Sequence, residues 1–117
     1  MATIRDLVSA IRQRDGIHAA VVLGRDGLLI DHLADDGVDA ERVAALVPPV
    51  LQYADELGAA AAQGRLLTAV HENEQGTTVM SAMSAETVLL VLMQPTADVG
   101  ALLFDLRRHR ANIAALV

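Results

Sequence analysis

Three segments of the chain carry apolar residues at helical spacing, and each is predicted to form an amphipathic helix. They cover residues 3–14, 40–62 and 99 to about 115. Asp39 and Asp98 stand just before the second and third segments. Aspartate is a favoured N-cap residue because its carboxylate accepts hydrogen bonds from the first turn of a helix. The two aspartates therefore support the predicted starts of these helices.

Five other segments are apolar runs of strand length, bounded by turn-forming residues. They cover residues 17–24, 28–30, 65–72, 77–83 and 87–93. The first two are separated by Arg25-Asp26-Gly27, and an Asp-Gly pair between apolar runs is typical of a β-hairpin. The run at 87–93 is apolar at consecutive positions, which predicts a central strand that is buried on both faces.

The predicted order of elements is α-β-β-α-β-β-β-α, over a single domain of residues 1–117. Short turns between consecutive strands make those strands antiparallel neighbours. The expected fold class is therefore α/β in the broad sense, more strictly α+β. We expect a five-stranded antiparallel sheet with the long helix on one face and the terminal helices on the other.

The long predicted helix has an apolar stripe that includes Leu46 and Val47, and it contains Pro48 and Pro49. Each proline removes a backbone donor and crowds the preceding turn. We therefore expect either a kink at this point or two helices that meet there.

Composition and charge restrict the classes of function. The chain has 53% hydrophobic residues, almost no aromatic ones, no cysteine and a net charge of −6. A net negative charge argues against generic binding to a nucleic-acid backbone, which needs clustered lysine and arginine. The longest uncharged stretch, residues 43–54, is too short to span a bilayer. These features predict a cytoplasmic protein that does not insert into membranes.

A search for catalytic or ligand-binding motifs finds none. The four histidines lack metal-ligand spacing, and the acidic residues between Asp31 and Asp39 do not match the spacing of a calcium loop. No phosphate-binding glycine loop or nucleophile elbow is present. The sequence therefore predicts no catalytic residue, no metal and no cofactor, and a protein that is not an enzyme.

Two predicted elements have surfaces suited to contact with another protein. The strand at 65–72 carries only Arg65 and Glu72 as charges, and an unprotected sheet edge of this kind tends to pair with another chain. The long helix has small residues beside its main apolar stripe, which would allow close approach of a partner. Alanine is also the best helix former, so intrinsic propensity explains the same residues equally well.

The hairpin over residues 20–30, the helix that opens at Asp39, and the ending from Val88 through Val99-Gly100 resemble, in this order and spacing, the Roadblock family. The resemblance covers about residues 4–116. It implies a homodimer in which the long helices and the third strands of two copies meet. It also implies a Ras-like GTPase as partner, because bacterial members similar to the gliding protein MglB bind such GTPases and stimulate GTP hydrolysis.

The resemblance also assigns candidate residues. The surface that faces the partner would lie on the long helix, at Ala45, Pro48, Pro49, Gln52, Tyr53 and Glu56. The dimer interface would comprise Val50, Leu57, Leu66, Leu67, Thr68, Ala69 and Val70. The paired prolines depart from the family pattern, in which this helix usually continues without interruption.

Three classes of function follow from the sequence. The first is a homodimer that binds a small Ras-like GTPase and modulates its GTP hydrolysis. The second is a scaffold or light-chain subunit of a larger assembly, with no effect on hydrolysis. The third is a small-molecule sensor or enzyme, for which the sequence offers no convergent polar cluster.

Overall fold

The computed structural model describes residues 2–117. The helices are α1 (Ile4–Arg12), α2 (Ala40–Ala60), α3 (Val99–Arg108) and α4 (Arg110–Ala114). The strands are β1 (Ile17–Gly24), β2 (Leu29–Ala34), β3 (Thr68–Asn73), β4 (Gly76–Ala82) and β5 (Thr87–Met93). The predicted order of elements is confirmed, and the structure adds a short fourth helix at the C-terminal end.

The five strands form one antiparallel sheet in the order β2-β1-β5-β4-β3. As predicted from its apolar sequence, β5 lies at the centre of the sheet. Val21 pairs with Leu90 in the ladder between β1 and β5, and Val79 pairs with Val91 between β4 and β5. The two sheet edges are therefore formed by β2 and β3.

Apolar side chains cover both faces of the sheet. On one face, Leu23, Leu90 and Met80 pack under the buried stripe of α2. On the other face, strand residues such as Val22 and Val79 pack against the terminal helices. The helical side chains in this second layer include Val8 and Ile11 of α1, Leu102 and Leu106 of α3, and Ile113 of α4. The expectation of α2 on one face and the terminal helices on the other is confirmed.

Helix α2 is continuous through Pro48 and Pro49. Of the two alternatives expected at the prolines, a kink or two helices that meet there, the second is therefore wrong. The helix begins at the N-cap Asp39, whose Oδ1 accepts a hydrogen bond of 3.1 Å from the backbone N of Arg42. Its buried stripe consists of Ala40, Ala44, Val47 and Leu51, so burial on both sides of the prolines holds the helix on the sheet.

Some details differ from the sequence expectation. The third strand begins at Thr68 rather than residue 65, because Asp55 binds the backbone N of Leu66 and holds the preceding residues beside α2. The last helix divides at His109 into α3 and α4. Leu46 is 60% exposed and does not belong to the buried stripe of α2, because the side of the helix that faces the sheet passes through Ala44 and Val47.

Candidate protein-binding surface

The outward face of α2 is the first part of the candidate surface. It carries the residues that the sequence predicted to face a partner. Pro48 is half-buried, and the other five are exposed: Ala45, Pro49, Gln52, Tyr53 and Glu56. Tyr53 is 72% exposed. An exposed aromatic ring offers a large apolar area with a polar tip, which suits it to a protein interface.

The turn between β1 and β2 packs against this part of α2. Gly27 has a φ of +89°, a left-handed conformation that glycine adopts without strain. The turn approaches α2 so closely that a Cβ on Gly27 would lie 3.4 Å from Cγ of Pro48 and 3.5 Å from Cα of Ala45. Pro48 therefore supports the hairpin, which explains why it is less exposed than Pro49.

Asp55 connects α2 to two other segments. Its Oδ2 accepts a hydrogen bond of 2.9 Å from Nη1 of Arg25, the residue that directly follows β1. Its Oδ1 accepts one of 3.2 Å from the backbone N of Leu66. The hydrogen bond from Arg25 is the main reason why the pKa of Asp55 lies below its ordinary value. The carboxylate thereby fixes the segment that leads into β3 relative to the helix.

The second part of the candidate surface is the edge strand β3. Within residues 2–117, β3 pairs with β4 alone, so its outer backbone groups have no strand partner. Edge strands in this state are templates for pairing with another chain. Val70 is 43% exposed on β3, and Leu67, which directly precedes the strand, is 45% exposed.

The residues predicted to form a dimer interface are brought together on one side of the molecule. Leu57, Leu67 and Val70 line a single depression of about 600 Å³ between the end of α2 and β3. The remaining predicted members are half-buried: Val50, Leu66, Thr68 and Ala69. Of these four, all but Thr68 also pack against the core under α2. Helix and strand thus present one continuous partly apolar surface.

Sequence reasoning missed several exposed residues. Leu46 adds to the apolar area of α2, and Phe104 is 62% exposed on α3, on the opposite side of the sheet. Leu28 is 69% exposed beside the other edge strand. The helical periodicity of α3 gave a signal for Phe104, because its position falls between the buried Leu102 and Leu106.

The part of the chain that the structure describes contains neither a metal-binding group of side chains nor a helix that could span a membrane. In residues 2–117, no group of three or more histidine, aspartate or glutamate side chains is placed to hold a metal ion. Over the same range, the helices do not combine the length and the hydropathy that a membrane span requires.

The family of the chain is decided by comparison with known proteins. Residues 3–93 match the model of the Roadblock/LC7 domain. The chain belongs to the Roadblock/LC7 family. The match spans α1 through β5, and thus includes both α2 and β3 of the candidate surface.

Individual relatives of this Roadblock/LC7 chain cover almost all of it. An uncharacterized protein of Methanocaldococcus jannaschii is 29% identical over 106 residues, which are 91% of this chain and 92% of that protein. A Roadblock/LC7 domain from Streptomyces avermitilis superposes with a TM-score of 0.82 at 22% identity, over 96% of this chain and 95% of that one. The gliding protein MglB from Thermus thermophilus gives a TM-score of 0.83 at 16% identity, over 96% and 86%. These structures share the Roadblock/LC7 fold with this chain.

Proposed function

We infer that this Roadblock/LC7 protein is a homodimeric, non-enzymatic regulator that binds a small Ras-like GTPase and modulates its GTP hydrolysis. The observation that carries the proposal is the continuous surface of α2 and β3, on which apolar side chains and unpaired strand backbone are exposed together. Membership of the family supplies the class of partner, which the chemistry of the surface alone does not specify.

The two parts of the surface would have different roles. The backbone edge of β3 suits a second copy of the same chain, because antiparallel pairing of two identical edges is self-complementary. The contacts would include Val50, Leu57, Leu66, Leu67, Thr68, Ala69 and Val70. Pairing of this kind would place the two α2 helices on the same face of one extended sheet.

The outward face of α2 would then bind the GTPase. Its candidate residues are Ala45, Pro48, Pro49, Gln52, Tyr53 and Glu56. Small and rigid side chains next to Tyr53 give a smooth surface with one aromatic anchor, and aromatic anchors frequently dominate the energy of an interface. The role of the protein in hydrolysis would be to order the catalytic residues of the GTPase itself.

The proposal is tested with the Ras-like GTPases encoded beside the gene, each loaded with GDP or with a non-hydrolysable GTP analogue. We expect binding to depend on the nucleotide, and GTP hydrolysis to change when the protein is added. Tyr53→Ala should weaken binding about tenfold or more, as removal of an aromatic hot spot does. Calorimetric titration measures the affinity, and phosphate release measures the hydrolysis rate.

Phe104→Ala is the matched control, because Phe104 is also an exposed aromatic residue but lies on the opposite face of the sheet. It should leave binding unchanged. Binding without any change in hydrolysis would instead indicate a scaffold or light-chain subunit of a larger assembly. Absence of binding in both nucleotide states would exclude the proposed partner.

A further inference from the structure

A second concave region adjoins the depression next to β3, with which it shares residues 64–67 and Arg110. It has a volume of about 550 Å³, within the range of small-molecule sites. Its walls come from the end of α2, the segment before β3, the turn between β4 and β5, and α4. We call it the arginine cleft, because it is lined by Arg25, Arg65 and Arg110.

Positive charge in the cleft exceeds negative charge. Asp55 is the one carboxylate among the described residues that line it, and both of its oxygens are occupied, by Arg25 and by the backbone N of Leu66. Asp55 therefore neutralises Arg25. Arg65 and Arg110 form no ion pair within residues 2–117, so two guanidinium charges remain uncompensated in a chain whose net charge is −6.

One neutral donor adds to these charges. The Oγ of Ser84 accepts hydrogen bonds from the backbone N of Glu86 and of Thr87, at 3.2 and 3.1 Å. Because a hydroxyl group also has one hydrogen to donate, that hydrogen is available to an acceptor in the cleft. The Nε of Arg25 is buried and has no acceptor among the described residues. Because this nitrogen is enclosed, a ligand in the cleft does not reach it, and the hydroxyl of Ser84 is the donor that adds to Arg65 and Arg110.

We propose that the arginine cleft is a binding site for a small phosphate-bearing molecule. The proposal follows from the charges in the cleft, because two uncompensated guanidinium groups match a dianion. A phosphate monoester carries a charge of about −1.5 to −2 at neutral pH. A single carboxylate carries only one negative charge. Guanidinium groups also present paired donors that fit phosphate oxygens. The hydroxyl of Ser84 supplies a further donor to the same group.

This site adjoins the proposed GTPase surface, because Arg25 and Asp55 also line a depression with Pro48, Gln52 and Glu56. The cleft is lined by Leu66 and Leu67, which also belong to the predicted dimer interface, but by none of the six residues predicted to face the GTPase. Arg65 and Arg110 also line the depression next to β3, so bound phosphate would lie at the margin of the dimer contact.

The test uses the whole protein and sodium pyrophosphate as the probe, in a calorimetric titration at constant ionic strength. We expect saturable binding of one pyrophosphate per chain. Arg110→Gln and Arg65→Gln should each raise the Kd about tenfold or more, since each removes a hydrogen bond between charged groups. Circular dichroism spectra of both variants should match the unaltered protein, because neither side chain forms an ion pair in the described structure.

Arg108→Gln is the matched control. Arg108 is exposed on α3, close to Arg110 in sequence, but does not line the cleft. It should leave the Kd for pyrophosphate nearly unchanged. An equal weakening by Arg108→Gln would indicate a general effect of charge and overturn the proposal. Absence of saturable pyrophosphate binding would also overturn it, as would binding of a glutamate-rich peptide in preference to pyrophosphate.

Discussion

At the residue scale, the turn that follows α2 depends on Gly58, a glycine inside that helix. The chain reverses after α2 so tightly that the backbone N of Gln63 donates to the carbonyl O of Gly58 at 2.8 Å. A Cβ on Gly58 would lie 2.9 Å from the carbonyl O of Gly64, which is too close for a carbon atom next to backbone. The segment that leads to Leu66 and β3 can therefore fold back over α2 because residue 58 has no side chain.

Gly58→Ala should consequently destabilise the protein, by about 1 kcal/mol or more. Replacement of glycine by alanine within a helix ordinarily stabilises by up to about 1 kcal/mol, so the expected sign is reversed here. Urea denaturation measures the change in the free energy of unfolding.

Gly100→Ala provides the comparison, because Gly100 is also helical but its added Cβ would have its nearest neighbour at 3.5 Å, the Oδ1 of Asp98. We expect this variant to be as stable as the unaltered protein or more stable. A stabilising effect of alanine at both positions would show that the reversal after α2 tolerates a side chain at residue 58.

At the element scale, the sequence predicts the presence and order of the helices and strands better than the residues at which they begin and end. Asp39 and Asp98 are recognisable as N-caps, and each accepts a hydrogen bond from the first turn of its helix. Capping is a local interaction and can therefore be inferred from neighbouring residues. The start of β3 could not be placed in this way because it depends on Asp55, a residue on another element.

The two candidate sites also differ in whether local sequence patterns predict them. The face of α2 was predictable from helical periodicity together with the family resemblance. The arginine cleft was not, because Arg25, Arg65 and Arg110 come from three separate segments that only the folded chain brings together. A local sequence pattern does not show which distant segments of the chain lie together in the fold.

Helix α2 itself yields a prediction about its two prolines. Pro49 is exposed on the helix and lacks the backbone donor that would bind the carbonyl four residues earlier. Pro49→Ala restores that donor, and we expect it to raise the free energy of unfolding by about 1 kcal/mol. Urea denaturation again provides the measurement.

The control for this variant is Pro48→Ala, because Pro48 lies so near the turn that a Cβ added to Gly27 would contact its ring. Removal of the Pro48 ring should reduce packing against the turn. Pro48→Ala should therefore gain less stability than Pro49→Ala, or lose stability. Equal gains from both variants would contradict the supporting role that we assign to Pro48.

At the scale of the whole molecule, the sheet has two edges of different character. β2 is joined to α1 by an ion pair of 2.9 Å between Arg5 and Asp31. β3 lies at the other end of the sheet, with Val70 exposed and the depression next to Leu57 beside it. We expect self-association at β3 rather than at β2.

Light scattering should therefore give a mass about twice 12.4 kDa. Val70→Glu should shift the protein toward the monomer, because it places a like charge on both copies at the paired edge. Leu28→Glu is the matched control, since Leu28 is more exposed than Val70 but lies beside β2; it should leave the mass unchanged. A monomer at micromolar concentration, or dissociation by Leu28→Glu alone, would contradict the model.

The sheet order also has a consequence for how the chain acquires its structure. Three of the four ladders join strands that are neighbours in sequence, but the ladder between β1 and β5 joins the N-terminal part of the chain to its last strand. During synthesis, the second edge of β1 stays uncovered until β5, which ends at Met93, has left the ribosome. Contacts between distant segments slow folding, so the newly made chain passes through a stage in which the most apolar strands are exposed to other molecules.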